Sequence, residues 1–300
     1  MCVDVCVWLY ICVLLNNPSY ILFADDTTLL FVNKDPNILL HNINTELPKI
    51  ANWLSCNKLS LNINKTNYVA FKSSNTNIND TPHKIVLSET ELERKSHANF
   101  LGVKLDEHLN WNTHCKELIT SASRSVGILN RIKHDLSKNT RILLYNSLIL
   151  SKLSYCNIVW GTSCKRNLNS ILLLQKRAIR ICSGSHYHAH TDPIFKDFKL
   201  LKITDINFCQ TALFMYKIKL NIIPANLKSF FTKNSDIHSY ETRNANKYHL
   251  IFNPKTSLAQ KTIKDRGPDI WNSLPDHITQ CKYLNSFKYS LENHIISSYI

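Results

Sequence analysis

The sequence is poor in glycine and has no closely spaced cysteine pair, and both absences narrow what the protein can be. Only 5 of its 300 residues are glycine, which argues against Gly-rich turns and Gly-rich phosphate-binding loops. The 10 cysteines are scattered without a Cys-x-x-Cys pair. This scatter is typical of free, mostly buried thiols in a reducing compartment and not of a secreted disulfide framework. We therefore expect an intracellular protein, in the nucleus or the cytoplasm.

A hydrophobic run long enough to cross a membrane is also missing. The apolar stretch of residues 5–15 is too short to span a bilayer, and Asp4 precedes it. It has neither a basic flank nor an obvious cleavage site, so it is not typical of a signal peptide. We expect a buried helix or strand and leave residues 1–18 unassigned. Membrane anchoring through this segment is the alternative.

Acidic residues are too few to balance the basic ones. There are 36 Lys and Arg residues against 22 Asp and Glu, a formal net charge of +14. The excess lies mainly in residues 161–300, which hold 20 basic and 9 acidic side chains, against 16 and 13 in residues 1–160. Such an excess favours a polyanionic partner, either nucleic acid or an anionic membrane surface. With 44% hydrophobic residues the chain can still form a packed core.

Hydrophobic periodicity predicts a mixed α/β region followed by a mostly helical one, an α+β fold class. Apolar stretches on both sides of Ala24-Asp25-Asp26 predict a β-hairpin over residues 20–31, and Asp35-Pro36 is typical of a helix start. Further short strands are predicted over residues 59–63, 68–71, 84–88 and 99–105, with an exposed loop over 73–83. Long helices are predicted over residues 110–132, 141–153, 168–181, 203–220 and 285–297.

The first candidate site is the carboxylate pair at the tip of this hairpin, Asp25 and Asp26. Two adjacent carboxylates repel each other unless a cation offsets their charge. Mg²⁺ is the usual cation, because it prefers one or two carboxylates together with the phosphates of a substrate. A solvated turn is the alternative, since aspartate is an ordinary turn residue.

The carboxylate hairpin is the first of five motifs that occur one after another along the chain. They are Phe23-Ala24-Asp25-Asp26, a stretch from Trp53 to Thr66 ending in Asn-x-x-Lys-Thr, Phe100-Leu101-Gly102-Val103, a stretch from Leu144 to Trp160-Gly161 that continues through Leu174-Gln175, and Arg266-Gly267-Pro268-x-x-Trp271-Asn272. Together they resemble the C-terminal part of the reverse transcriptase of a jockey-like non-LTR retrotransposon. In that family the corresponding segments are the catalytic hairpin, the motif after it, the primer grip, the thumb and the C-terminal tail.

The resemblance implies a fold and a chemistry. It implies a partial palm of antiparallel strands plus a helix over residues 19–108, a helical thumb-like region over 109–185, and a basic, mostly helical region over 186–300. The chemistry would be Mg²⁺-dependent nucleotidyl transfer on an RNA template and a DNA primer. Asp25 would be a metal ligand, Asp26 a second ligand or an electrostatic supporter, and Lys65 a charge near the triphosphate. A plain turn lysine is the alternative for Lys65.

The same resemblance gives roles to other residues. Phe100, Leu101 and Gly102 would position the primer end, and a buried strand with a glycine bulge is compatible with that role. Basic residues of the helical half would contact nucleic-acid phosphates; the alternative is that they only solvate helix faces. The candidates are Arg131, Lys133, Arg141, Lys165, Arg166, Lys176, Arg177 and Arg180. Cys182 with His186, His188 and His190 is a weaker metal candidate, since an exposed histidine loop also fits.

Three elements of the family are missing from the sequence. They are a further metal-binding aspartate in an aromatic-x-Asp context, a Gly- and Gln-containing motif that shapes the nucleotide pocket, and the fingers, which hold template and incoming nucleotide. We therefore expect an N-terminally truncated reverse transcriptase that is inactive alone, and whether the chain is an enzyme stays undecided. The alternative is a non-catalytic nucleic-acid-binding module. In either case we expect the hairpin over 20–31 to leave sheet edges uncovered.

Overall fold

A computed structural model describes residues 2–10, 19–23, 26–72, 84–87, 90–237, 247–250, 254 and 256–300, with backbone only for residues 2–10. The chain divides into two compact units, residues 1–114 and residues 115–300. The first unit is mixed α/β and the second is helical, consistent with the predicted α+β class. The predicted loop over 73–83 lies outside the described residues.

The first unit is built on a six-stranded sheet. The elements of this unit are β1 (Cys2–Tyr10), β2 (Ser19–Phe23), β3 (Asp26–Val32), α1 (Pro36–Cys56), β4 (Ser60–Leu61), a 3-10 turn (Ile63–Lys65), β5 (Asn67–Phe71), β6 (Val86–Leu87), β7 (Thr90–Glu91), β8 (Glu93–Arg94), β9 (His97–Phe100) and β10 (Val103–Asp106). The strand order of the six-stranded sheet is β2-β3-β1-β5-β8, and β4 also pairs with β1. Two antiparallel pairs, β9 with β10 and β6 with β7, form separate sheets.

The predicted hairpin is confirmed, but its surroundings differ from the expectation. β2 and β3 pair antiparallel, with Phe23 opposite Asp26. The sheet as a whole is not antiparallel, because β1 lies between β3 and β5 and pairs with both in parallel. β3 and β5 run parallel on the two sides of β1, and the long connection that parallel strands need contains α1. The N-terminal strand β1 therefore pairs along β3, and β2 and β8 are the two ends of the strand order among the described residues.

Helix α1 begins where the sequence predicts. The Asp35 side chain accepts a hydrogen bond from the backbone N–H of Asn37 at 2.8 Å, and Pro36 occupies the first turn. One face of the helix packs into a core with Leu29 and Phe31 of β3. Each fully buried aliphatic side chain on that face contributes about 1.5–3 kcal/mol to the free energy of folding. These side chains are Leu39, Ile43, Leu47 and Leu54.

The second unit contains the predicted long helices. The predicted helix over 141–153 is interrupted by a π-helical turn at Asn146–Leu150. The elements are α2 (Asn112–Ile132), which begins in the first unit, α3 (Lys138–Tyr145), α4 (Ser151–Ser154), α5 (Asn157–Trp160), α6 (Lys165–Ser183), α7 (Asp192–Asp197), α8 (Ile203–Lys219), α9 (Ala225–Lys228), α10 (Asn234–Ile237), α11 (Ser257–Gln260), α12 (Ile263–Ser273), α13 (Asp276–Thr279) and α14 (Leu284–Ser297).

Helix α8 is the centre of this unit. It is buried on most sides, and it contacts α5, α6, α12 and α14. Its Asn207 donates to the carbonyl of Asn157 at 2.8 Å and accepts from Arg266 at 2.9 Å, so that α5, α8 and α12 share one buried polar network. Of the helices in the described part of the chain, none combines the length and apolar character that crossing a membrane requires.

Candidate nucleic-acid interface

The second unit contains a basic cavity of about 480 Å³. It lies between the end of α2, the start of α3 and the C-terminal end of α6. We call it the basic cavity. Four cationic side chains line it and no carboxylate does. The lining residues are Asn130, Lys133, His134, Arg141, Arg177, Arg180, Ile181, Gly184, Ser185 and Tyr187.

Local structure explains why these residues converge. Arg177 and Arg180 are three residues apart in α6 and therefore lie on one face of the helix. Gly184 ends α6 in the left-handed conformation, with φ of 75°, which glycine adopts without steric strain. The chain then turns toward Tyr187. On the opposite wall Ser137 caps α3, accepting from the backbone N–H of Thr140, and Arg141 follows in the first turn.

Backbone carbonyls hold two of the arginines in place. Nη1 of Arg141 donates to the carbonyl of Ile181 at 3.0 Å, and Nε of Arg180 donates to the carbonyl of Ala189 at 2.8 Å. Cations near a helix C-terminus also complement the negative end of the helix dipole. Helix capping thus accounts for part of their placement. Each guanidinium has five N–H donors, and Nε of Arg141 is buried without a hydrogen-bond partner.

The other two cations have no such structural role. Within the ranges that the structure describes, the side chains of Lys133 and Arg177 make no hydrogen bond or ion pair. Arg177 is exposed and Lys133 is half-buried. Because cations without a counter-ion raise the local positive potential, the cavity is suited to an anion.

The structure brings together only half of the basic residues predicted from the sequence. Lys133, Arg141, Arg177 and Arg180 line the basic cavity. Lys165 and Arg166 are exposed in the first turn of α6, about 20 Å away along the helix axis. Lys176 lies on another face of α6, where its charge helps to lower the pKa of Asp192. Arg131 is exposed beside the cavity but does not line it.

Sequence reasoning missed the polar and aromatic lining. Asn130, His134, Ser185 and Tyr187 carry no charge pattern that would single them out. Tyr187 is 68% exposed, and its ring contacts His188 edge-to-face with the centroids 5.0 Å apart. The sequence feature that could have indicated Tyr187 is the position of an aromatic residue within a basic, histidine-rich stretch. His186, His188 and His190 are exposed, and no metal-binding cluster of three such groups occurs in the described ranges.

In the first unit, the hairpin predicted to carry the carboxylate pair is largely exposed along β2, whereas β3 buries Leu29 and Phe31. Asp26 is exposed at the start of β3, while Asp25 lies outside the described residues. Lys65 is exposed at the end of the 3-10 turn before β5. β1 pairs Asp4 with Asp26 and Cys6 with Asn67, so Asp26 and Lys65 lie at the same end of the sheet. Their predicted roles stay predictions.

The magnesium site stays a prediction, because Asp25 lies outside the described residues. Among them, no group of three or more acidic, histidine or cysteine side chains is close enough to hold a metal ion. Asp26 is the one residue of the proposed pair that the structure describes.

The residues predicted to form a primer grip occupy the tip of a second hairpin. β9 and β10 pair antiparallel, with Phe100 opposite Val103. Leu101 and Gly102 form the turn with φ of 48° and 77°, and positive φ at both positions is typical of a tight hairpin turn. The single strand that periodicity predicts over 99–105 is wrong, because Leu101 and Gly102 reverse the chain, whereas the hairpin implied by the resemblance at residues 100–103 is confirmed. Leu101 is exposed at the tip.

Comparison with known proteins confirms the resemblance noted in the sequence. The chain is 24% identical over 208 residues, 68% of its length, to the RNA-directed DNA polymerase from mobile element jockey of Drosophila melanogaster. It is 22% identical over 186 residues, 61% of its length, to the probable RNA-directed DNA polymerase from transposon X-element, and 26% identical over 182 residues to that from transposon BS, both of the same fly. The aligned regions span about a fifth of these relatives. No family model matches the chain, and no solved structure is a significant match.

Proposed function

We propose that this chain takes part in RNA-directed DNA synthesis and that its helical unit supplies contacts to the nucleic-acid backbone. The observation that carries the proposal is the convergence of Lys133, Arg141, Arg177 and Arg180 on one cavity without a carboxylate. The relatives are RNA-directed DNA polymerases, which favours nucleic acid over an anionic membrane as the polyanion. On this proposal the partners are an RNA template and a DNA primer, with the first unit as the palm and the second as the thumb and C-terminal region.

Binding through phosphates has a measurable consequence. Each phosphate neutralised by a cation releases counterions, so the affinity for duplex falls with salt with a log–log slope of about 0.9 per contact. The test is a filter-binding titration of the full chain on duplex RNA–DNA at several salt concentrations. We expect Arg177→Gln and Lys133→Gln to weaken binding and to reduce that slope.

A matched control separates this site from general charge. Lys282 is an exposed cation that does not line the basic cavity, and Lys282→Gln removes the same charge as Lys133→Gln. It should leave the salt slope nearly unchanged. Affinity that does not change between low and moderate salt, or equal effects of the three variants, would contradict the proposal.

We further propose that this chain alone binds nucleic acid without extending a primer. The support is the absence from its sequence of the family's first metal-binding aspartate motif and of the nucleotide-pocket motif. Holding both substrates in a reactive geometry supplies much of the rate in such transfers. A primed RNA template incubated with the chain, nucleotides and Mg²⁺ should yield no extension product. Extension that disappears in Asp25→Asn would contradict this expectation and make the chain a polymerase.

A further inference from the structure

The basic cavity combines two recognition elements that duplex binding alone does not require. One is the set of cations on its walls, and the other is the exposed ring of Tyr187 at its rim. Its volume of about 480 Å³ falls in the range of pockets that enclose a small ligand, about 300–1,000 Å³. A cavity of this kind can admit a single nucleotide unit, whereas the backbone ridge of a duplex contacts a flatter surface.

We propose that the basic cavity binds a single-stranded segment of nucleic acid, with one backbone phosphate on the arginines and the adjoining base stacked on Tyr187. The inference rests on the proposed function, because it assumes a nucleic-acid partner at this face. It adds that the strand is unpaired at this point. A base in a duplex is stacked between its neighbours, so only an unpaired base can place its face against an aromatic ring.

The chemistry of the walls fits a phosphate group. Guanidinium groups bind phosphate oxygens in a planar, two-pronged geometry. Arg141 and Arg180 each donate one hydrogen bond to a carbonyl, which fixes their position and leaves other donors. Arg177 makes no ion pair in the described part of the chain and supplies a free charge.

Helix capping by the arginines is the competing explanation, and it does not account for the whole site. Capping of α6 explains the contact of Arg141 with the Ile181 carbonyl, and anchoring of the loop after α6 explains the contact of Arg180 with the Ala189 carbonyl. These two contacts explain neither the position of Arg177 and Lys133 nor the exposure of Tyr187, which is 68% accessible. A large aromatic side chain at the rim of a cationic cavity is typical of sites that stack bases without reading their sequence.

The test compares three probes on the full chain by fluorescence anisotropy. They are a single-stranded oligonucleotide of about twelve nucleotides, within known site sizes, the same sequence as a duplex, and an abasic single strand of equal length. Base stacking on an aromatic ring is worth about fivefold to a hundredfold in affinity. We therefore expect Tyr187→Ala to weaken the single-stranded probe at least about fivefold and to affect the duplex and abasic probes by less than about twofold. Tyr187→Phe, which keeps the ring, should bind as the parent does.

The control variant is Tyr289→Ala in α14, since Tyr289 is similarly exposed at 66% and does not line the cavity. It should leave all three affinities unchanged. Arg177→Gln should weaken all three probes. If Tyr187→Ala affects no probe, or affects single strand and duplex equally, the inference of an unpaired base is overturned while phosphate binding stands. If Arg177→Gln also has no effect, the proposed function itself fails.

Discussion

Replacing Gln175 by leucine should strongly destabilise the helical unit. Gln175 is fully buried in α6. Its Nε2 donates to the Tyr145 hydroxyl and to the carbonyl of Leu201, and its Oε1 accepts from the backbone N–H of Ile203, each at 2.9 Å. One side chain thus joins α3, α6 and the start of α8.

The size of the effect follows from the groups that lose their partner. Leucine has nearly the same volume but no polar atom, so a hydroxyl, a carbonyl and an amide would remain buried without that hydrogen bond. Each such group costs about 1–3 kcal/mol. We expect Gln175→Leu to lower the free energy of unfolding by about 3–5 kcal/mol, a large share of the total of a typical domain, about 5–15 kcal/mol.

The assay is urea unfolding followed by helical circular dichroism, arranged as a double-mutant cycle with Tyr145→Phe. In the parent chain the loss of the Tyr145 hydroxyl breaks its hydrogen bond with Gln175. In the Gln175→Leu background the hydroxyl has already lost that partner, so its removal should be neutral or stabilising. The reasoning is refuted if Tyr145→Phe has the same effect in both backgrounds. Gln280→Leu, at an exposed position, controls for the exchange of glutamine for leucine itself.

Three further predictions concern packing, pH and reactivity. Gly161→Ala should lower the melting temperature, because its Cβ would lie 2.5 Å from the carbonyl oxygen of Asn157, whereas Gly127→Ala in α2, with no atom within 4 Å, should stabilise by about 0.5–1 kcal/mol. Burial raises the pKa of the Asp192 carboxyl, but its hydrogen bond and ion pair with Lys202 outweigh burial and hold that pKa below 3.8. The stability that the ionised Asp192 carboxylate adds is therefore present above pH 3.8 and is lost as the pH falls through its lowered pKa. Lys202→Met removes the partner of this carboxylate, so acid unfolding of that variant, monitored by circular dichroism, should begin at a higher pH. Burial raises the pKa of the Cys182 and Cys209 thiols to about 12, so these thiols hold little reactive thiolate at pH 8. Alkylation at pH 8, followed by mass spectrometry, should therefore label the exposed Cys56 and Cys164 before Cys182 and Cys209. Equal labelling of the four cysteines would contradict the described burial.

Much of the secondary structure followed from local sequence. The apolar stretches around residues 20–31, the cap at Asp35-Pro36 and the helical spacing from residue 110 onward each depend on neighbours within a few turns, and the structure confirms them. The prediction of free cysteines also holds for the described ones, although only Cys115, Cys182 and Cys209 are buried. These features need no knowledge of distant parts of the chain.

The resemblance included several motif residues without indicating what they contact. Among them, Gln175, Gly161 and Arg266 have structural roles. Gln175 joins three elements, Gly161 has no room for a side chain, and Arg266 donates to Asn207 at 2.9 Å. No local pattern states which carbonyl or hydroxyl a side chain will reach, because those partners are tens of residues away.

The sequence by itself determined the charge excess, the order of the elements and the family that the chain resembles. Tertiary structure alone decided that Lys133 and Arg141 lie opposite Arg177 and Arg180, that Tyr187 stands at the rim of their cavity, and that Lys165 and Arg166 lie elsewhere. It also decided that β1 pairs in parallel with β3 and β5. The physical reason is the same in each case. Helix and strand periods act over a few residues, whereas the meeting of two elements depends on which apolar faces the whole chain can bury together.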